Sequence, residues 1–136
     1  MNTAPLHIAA FAGSLRKASY NRRLLEIASG LLPTNTTISI IDLRPLPLFN
    51  EELEQGGYPQ SVQDFRNALF QADAILIATP EYNSSIPGVL KNAIDWASRS
   101  ENKQPNPLNL KPLAIIGAGN RGGTVRAQTH LRQVAS

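Results

Sequence analysis

The chain has 136 residues, 42% of them hydrophobic, and a formal net charge of +3. A chain of this length buries one core, so we expect residues 1–136 to form a single domain. The lack of cysteine excludes disulfide bonds, thiolate catalysis and thiolate metal sites, and two histidines are too few for a metal cluster. The basic residues are not interleaved with aromatic residues, so we expect no nucleic-acid partner.

The N-terminal residues carry no basic stretch and only a short apolar run, unlike a signal peptide. No segment approaches the roughly 20 apolar residues that are needed to cross a bilayer. We therefore expect a cytoplasmic protein without a membrane partner.

Three short apolar runs end in polar or glycine-rich loops, which is typical of strands buried on both faces of a parallel sheet. They are LHIAAFAG from Leu6, AILIATP from Ala74 and PLAIIGAG from Pro112. A fourth run, TISIID from Thr37 to Asp42, alternates more and predicts a strand nearer a sheet edge.

Segments with helical spacing of apolar residues lie between these strands. They are NRRLLEIASGLL from Asn21, SVQDFRNALFQA from Ser61 and GVLKNAIDWASR from Gly88, and Ser61 and Asp64 have capping-box spacing. Residues 44–59 predict a long loop, of the kind that is often functional or a lid. The alternation of strands and helices predicts an α/β fold, a doubly wound parallel sheet in three α/β/α layers, with ligands beyond the carboxyl ends of its strands.

The first loop, GSLRKASYN (residues 13–21), follows the first strand and is rich in hydrogen-bond donors. Gly13 permits a sharp exit from the strand, and the hydroxyl, guanidinium and amide groups that follow suit an anion at a helix start. The lack of a Walker A or GxGxxG pattern here favours a terminal monophosphate over a pyrophosphate. The alternative is that Ser19 only caps the helix and Arg16 is solvated.

The second loop, TPEYNSSIPG (residues 79–88), is stiffened by Pro80 and Pro87. Tyr82 and Asn83 lie where a planar heteroaromatic ring could be stacked and hydrogen-bonded. The alternative is an ordinary turn, because proline, asparagine and serine are common turn residues.

The third loop, GAGNRGG (residues 117–123), satisfies GxGxxG after a strand. A dinucleotide fingerprint also requires an acidic residue about 20 positions later, whereas the last acidic residue of the chain is Glu101. We predict that these glycines let the backbone approach a flat ligand closely.

Three segments of the chain together resemble a known family. GSLRKASYN, PEYNSSIPGVLKNAIDWASR and GNRGGTVRAQTHLRQ are similar, in order and spacing, to the NADPH-dependent FMN reductases, which include quinone and chromate reductases of flavodoxin-like fold. The resemblance implies bound FMN, NADPH as co-substrate, and hydride transfer through the flavin to a quinone, chromate, free flavin or a similar small-molecule acceptor. It implies no catalytic residue, because the flavin carries the chemistry, and no metal.

The resemblance also implies which residues contact FMN. The phosphate is assigned to Ser14, Arg16, Ser19 and Asn21. The isoalloxazine ring is assigned to Pro80, Glu81, Tyr82 and Asn83 on one side and to the backbone of Gly117, Ala118 and Gly119 on the other.

The helix that carries Lys91 and Asp95 predicts a surface ion pair or, by the resemblance, part of a contact in a homodimer or homotetramer. We interpret Asp42 as a cap and His130 as structural or solvated. Two other functions stay open, a non-catalytic flavodoxin-like electron carrier and an interaction protein of the same fold. Such carriers are typically acidic, whereas this chain is basic.

Two features depart from the family pattern. GGTVRAQ places two residues between the glycine pair and Arg126, where one is expected. Family members also usually continue beyond HLRQ with a fifth strand and a final helix, so we expect a sheet without its fifth strand and with PLAIIG at its edge, where the backbone is open to pairing.

Overall fold

The computed structural model describes residues 4–100 and 105–136. Its strands are β1 (Leu6–Ala12), β2 (Thr36–Ile41), β3 (Ala74–Ala78) and β4 (Leu113–Ile116). They form one parallel sheet in the order β2-β1-β3-β4, with the strand order reversing between β1 and β3. This is the flavodoxin-like doubly wound arrangement that the sequence predicted.

Helices cover both faces of the sheet and complete the three layers. They are α1 (Tyr20–Ser29), α2 (Glu51–Gln55), α3 (Gln60–Gln71), α4 (Gly88–Ala97) and α5 (Val125–Val134). On one face, Leu25 of α1 packs with Ala10 and Ala78. On the other face, the larger core joins the sheet to α3, α4 and α5 through buried residues that include Phe11, Ile77, Phe65, Leu90 and Leu131.

The strand predictions hold at the centre of the sheet and fail in part at its edge. Buried residues are concentrated in β1 and β3, each of which has a strand on both sides. The run PLAIIG was predicted to be buried on both faces, but β4 is exposed or half-buried, and Leu113 is 37% exposed. In the described part of the chain β4 pairs with β3 alone, which is the predicted edge position.

Several helix boundaries differ from the prediction, and two of the differences have a clear consequence. Helix α3 begins one residue early, because the Pro59 carbonyl accepts from the N–H groups of Val62 and Gln63 at 2.9 and 3.0 Å. The capping-box prediction at Ser61 is therefore wrong, and Asp64 accepts from the Gln60 side chain at 2.8 Å. Helix α1 ends at Ser29, which leaves Leu31 outside the helix and 78% exposed.

The 44–59 segment is held against α4. It contains α2, which the sequence did not predict. The Pro47 carbonyl accepts from Trp96 Nε1 at 2.8 Å and from Asn92 Nδ2 at 2.9 Å, and the Phe49 N–H donates to Asn92 Oδ1 at 2.7 Å. Trp96 is fully buried and is therefore a core residue. These contacts attach the segment to α4, so it is not a free loop, although most of its residues stay exposed or half-buried.

Candidate functional site

The three loops meet at the carboxyl edge of the sheet, as the topology requires. Gly13 lies in a tight junction between the first two loops, where a Cβ would stand 3.2 Å from both Pro80 Cδ and Pro87 Cγ. Its φ is not positive. Close packing against two prolines, rather than an unusual turn, therefore explains this glycine.

A cavity of about 370 Å³, here called the site cavity, lies between the three loops. Its volume is in the range of small-molecule sites. Residues of all three loops line it: Ser14, Arg16, Ser19, Tyr20, Asn21, Pro80, Glu81, Tyr82, Ala118, Gly119, Asn120, Gly122, Gly123 and Arg126. The lining thus contains every sequence-predicted site residue except Asn83 and Gly117.

A larger cavity of about 520 Å³ lies elsewhere, between the sheet, α4 and α5. Its walls include Phe11, Ile75, Ile77 and Leu131, and none of the predicted site residues. We assign the site to the smaller cavity because hydrogen-bond donors, a cation and aromatic rims converge there.

The N-terminus of α1 provides the donors at one end of the site cavity. Ser19 is the N-cap and accepts from the Arg22 N–H at 3.2 Å, as in the alternative interpretation, and its predicted contact with a phosphate stays a prediction. The backbone N–H groups of Tyr20 and Asn21 have no partner among the described residues. Together with the positive end of the helix dipole, these donors suit an anion, and we call this end of the cavity the anion-binding corner.

Arg16 also lines this corner of the cavity. Its guanidinium Nη2 donates to the Ala18 carbonyl at 3.0 Å within the same loop, and its side chain is otherwise exposed. A single bond to a neighbouring carbonyl leaves most of the donors of a guanidinium available.

A tight turn presents Tyr82 at the rim of the cavity. Tyr82 and Ser85 exchange two backbone hydrogen bonds at 3.0 Å, and the residues between them, Asn83 and Ser84, have φ of 50° and 63°. Such a turn resembles a two-residue type I′ hairpin. Asn83 at the tip of this turn does not line the cavity, while Tyr82 is 45% exposed with its hydroxyl 3.5 Å from Ser14 Oγ.

Glu81 joins the second loop to the start of α5. Its Oε2 accepts from the N–H groups of Arg126 and Ala127 at 2.9 and 3.2 Å, and its Oε1 lies 3.7 Å from Arg126 Nη1. Thr124, the N-cap residue of α5, makes no side-chain capping bond. Glu81 therefore caps this helix from another loop, which the local sequence gives no sign of.

The glycines of the third loop are required by the packing of the loop itself. A Cβ on Gly117 would stand 2.1 Å from Thr124 Oγ1 and 2.5 Å from the Thr79 carbonyl oxygen, and one on Gly119 would stand 2.5 Å from the Gly123 carbonyl oxygen. The structure thus gives a reason for Gly117 and Gly119 that differs from the predicted close approach of a flat ligand.

Asn21 fixes the third loop from the other side. Its Nδ2 donates to the Ala118 carbonyl and its Oδ1 accepts from the Ala118 N–H, both at 2.9 Å. Asn21 is 3% exposed. The predicted phosphate-binding amide therefore faces the third loop.

Several lining residues were not predicted from the sequence. One is Tyr20, which is 70% exposed in the structure, and the signal for it is an aromatic residue within the polar stretch GSLRKASYN. Asn120, Gly122, Gly123 and Arg126 line the cavity because the third loop folds back on itself, with the Gly123 N–H donating to the Asn120 carbonyl at 2.8 Å. No local pattern indicates this fold-back.

The other polar residues singled out by sequence lie outside the site cavity. Lys91 and Asp95 form the predicted surface ion pair at 2.7 Å. His130 is exposed, with Nδ1 2.9 Å from Ser85 Oγ. Hydrogen bonds from Arg44 hold the pKa of Asp42 below its usual value. In residues 4–100 and 105–136, no group of three potential metal ligands occurs and no helix is long and apolar enough to span a bilayer.

The fold and the site cavity at the β1/β3 switch point define a flavodoxin-like protein. The family model of the NADPH-dependent FMN reductases matches residues 6–136, and the chain belongs to this family.

Individual relatives agree with this assignment. The chain is 49% identical to the NAD(P)H-dependent FMN reductase PA1204 of Pseudomonas aeruginosa, covering 94% of this chain and 68% of that protein. It is 47% identical to the NADPH:quinone oxidoreductase of Arabidopsis thaliana, covering 95% of this chain and 66% of that protein. Among solved structures, the flavoenzyme FerB, an NAD(P)H:(acceptor) oxidoreductase from Paracoccus denitrificans, matches with a TM-score of 0.85 at 36% identity, over 96% of this chain and 70% of that one. The chain thus spans about two thirds of the length of these relatives.

Proposed function

We propose that the chain is an FMN-binding, NAD(P)H-dependent oxidoreductase that reduces quinones or similar small molecules. The observation that carries this proposal is the site cavity, which joins an anion-binding helix start, an arginine and an aromatic rim at the switch point of a flavodoxin-like sheet. The names of the relatives, FMN reductase and quinone oxidoreductase, support the same reaction class.

The residues present fit FMN at both ends of the cavity. The phosphate would be bound by Ser14, Arg16 and the backbone N–H groups of Tyr20 and Asn21, which have no partner among the described residues. The first turn of α1 contains no acidic residue that would repel the phosphate. The ring would lie between Pro80 and Tyr82 of the second loop and the backbone of Ala118 and Gly119.

When bound, FMN supplies the acceptance and donation of hydride. The protein side chains then have to bind and orient the FMN and shield it from water, and they need not transfer protons. Glu81, the carboxylate that lines the cavity, already accepts two backbone N–H groups of α5, so its role is to hold the loops together. Tyr82 lies at one rim of the cavity. About half of the surface of the Tyr82 side chain is exposed, and a second flat molecule such as a nicotinamide or a quinone would contact it there.

Further parts of the proposal rest on the family resemblance. Chromate and free flavin are possible acceptors in addition to quinones, because an open flavin face selects weakly among them. We also propose a homodimer or homotetramer in the cytoplasm.

The test is a titration with FMN followed by steady-state turnover. We expect flavin fluorescence to be quenched on binding, and the FMN-loaded protein to oxidise NADPH with benzoquinone as acceptor. Bound flavin without NADPH oxidation would favour the electron-carrier function, and flavin absorbance that does not stay with the protein through desalting would contradict the proposal.

A further inference from the structure

The side-chain amide of Asn21 makes a reciprocal pair of hydrogen bonds with the backbone of one residue of the third loop, Ala118. Both Ala118 groups, the N–H and the carbonyl, bond to this side chain at 2.9 Å, in the manner of paired strands. The two residues are 97 positions apart and Asn21 is nearly fully buried. A buried pair of this kind fixes both partners, because leaving either peptide group unbonded is costly.

The third loop needs such a contact from outside. Gly117 and Gly119 allow it to fold closely on itself, and Glu81 holds the start of α5 that follows it. Ala118 lies between these points and lines the site cavity. Among the described residues, the Asn21 amide is the group that holds the backbone of Ala118.

We propose that the side chain of Asn21 has a positioning role, holding the third loop in place for the flavin ring, and that this side chain is not a phosphate ligand, whereas the backbone N–H of Asn21 stays available to the phosphate. This inference rests on the proposed function. Because the third loop is already fixed before the ligand binds, no entropy is lost in ordering it, and this preorganisation raises the affinity for the ligand. The side chain therefore contributes to binding of the ring through Ala118.

The chain contains a matched control for this contact. Asn92 makes the same kind of reciprocal pair, with Nδ2 donating to the Pro47 carbonyl at 2.9 Å and Oδ1 accepting from the Phe49 N–H at 2.7 Å. It joins α4 to the 44–59 segment and does not line the site cavity. Asn92→Leu removes an equivalent pair away from the site.

The first experiment compares FMN with riboflavin, which has the ring but no phosphate, by fluorescence titration. We expect Asn21→Leu to weaken both ligands by the same factor, roughly tenfold, and Asn92→Leu to change neither. A loss confined to FMN would identify Asn21 as a phosphate ligand and overturn the inference, as would unchanged affinity for both.

The second experiment follows hydrogen exchange in the ligand-free protein. Peptides that cover the third loop should exchange faster in Asn21→Leu than in wild type or Asn92→Leu, and equal rates would overturn the inference. If Asn21→Leu does not fold, Asn21→Asp is measured instead, since it keeps the acceptor and loses the donor. A wild-type protein that fails to bind FMN would contradict the proposed function, while this exchange result would still decide the role of Asn21.

Discussion

The 44–59 segment and the three loops at the carboxyl edge all contain glycine and polar residues, but they differ in role. In the 44–59 segment, the polar groups of Pro47, Phe49 and Glu54 are bonded to side chains of α4 and to Arg99 just beyond it. At the carboxyl edge, N–H groups at the start of α1 face a cavity. The polar groups of the 44–59 segment are thus used to attach it to a helix. The donors at the carboxyl edge, where several strands end, are left available to a ligand.

The largest effect should follow from disturbing the third loop. Gly117→Ala places a Cβ 2.5 Å from the Thr79 carbonyl oxygen, so backbone has to move. We expect the free energy of unfolding to fall by about 3 kcal/mol and FMN binding to be lost. Gly122→Ala is the control, because no atom lies within 4 Å of its Cβ position. Equal urea midpoints for both variants would contradict this account.

Trp96→Phe tests the contact between the 44–59 segment and α4, and it should leave the site cavity unchanged. The variant loses the 2.8 Å bond to the Pro47 carbonyl and part of the contact with the Phe49 ring, whose centroid lies 4.8 Å away. We expect a loss of about 2 kcal/mol in urea denaturation, with FMN affinity of the folded protein unaltered. A parallel loss of FMN affinity would place the 44–59 segment in the binding site and break the comparison.

Arg16→Met tests the anion-binding corner. We expect FMN to bind roughly tenfold more weakly, the loss of about one charge-assisted hydrogen bond, while riboflavin affinity stays unchanged. Lys17→Met removes the same charge from a neighbour that does not line the cavity, and should change FMN affinity less than about twofold. Equal losses for both variants would show that general charge, not Arg16 itself, binds the phosphate.

The smallest effect concerns the ion pair between Glu54 of the 44–59 segment and Arg99. Hydrogen bonds from Arg99, and a weaker one from Tyr58, lower the pKa of Glu54 below its ordinary value of 4.5. A lowered carboxyl pKa stabilises the fold above pH 4.5, and this contribution is lost as the pH falls through the folded-state pKa.

Because this pair is partly exposed, its contribution should stay below about 1 kcal/mol. The measurement compares urea denaturation of wild type and Glu54→Gln at pH 7 and below pH 4.5. The difference between the two proteins should shrink at low pH. A difference that persists unchanged in acid would rule out the ion pair as its source.

The parts of this structure that sequence could predict are those with local signals. Apolar runs indicate β1 and β3, and the order of strands and helices then brings the three loops to one edge. The exposure of β4 depends on neighbouring elements that the local pattern does not contain, whereas the early start of α3 follows from Pro59, the residue directly before the helix. The roles of Asn21 and Glu81 were not predictable, because each bonds to a backbone at least 45 positions away.

The Asn21 to Ala118 pair also bears on how the chain folds. A contact between residues 97 positions apart carries a larger loop-closure entropy cost than a local contact. The cavity is thus complete only when β1, β3 and β4 are joined. A ligand that occupies it at a hundred times its dissociation constant would stabilise the folded state by about 2.7 kcal/mol. The melting temperature should therefore rise with ligand concentration in a protein whose cavity is assembled.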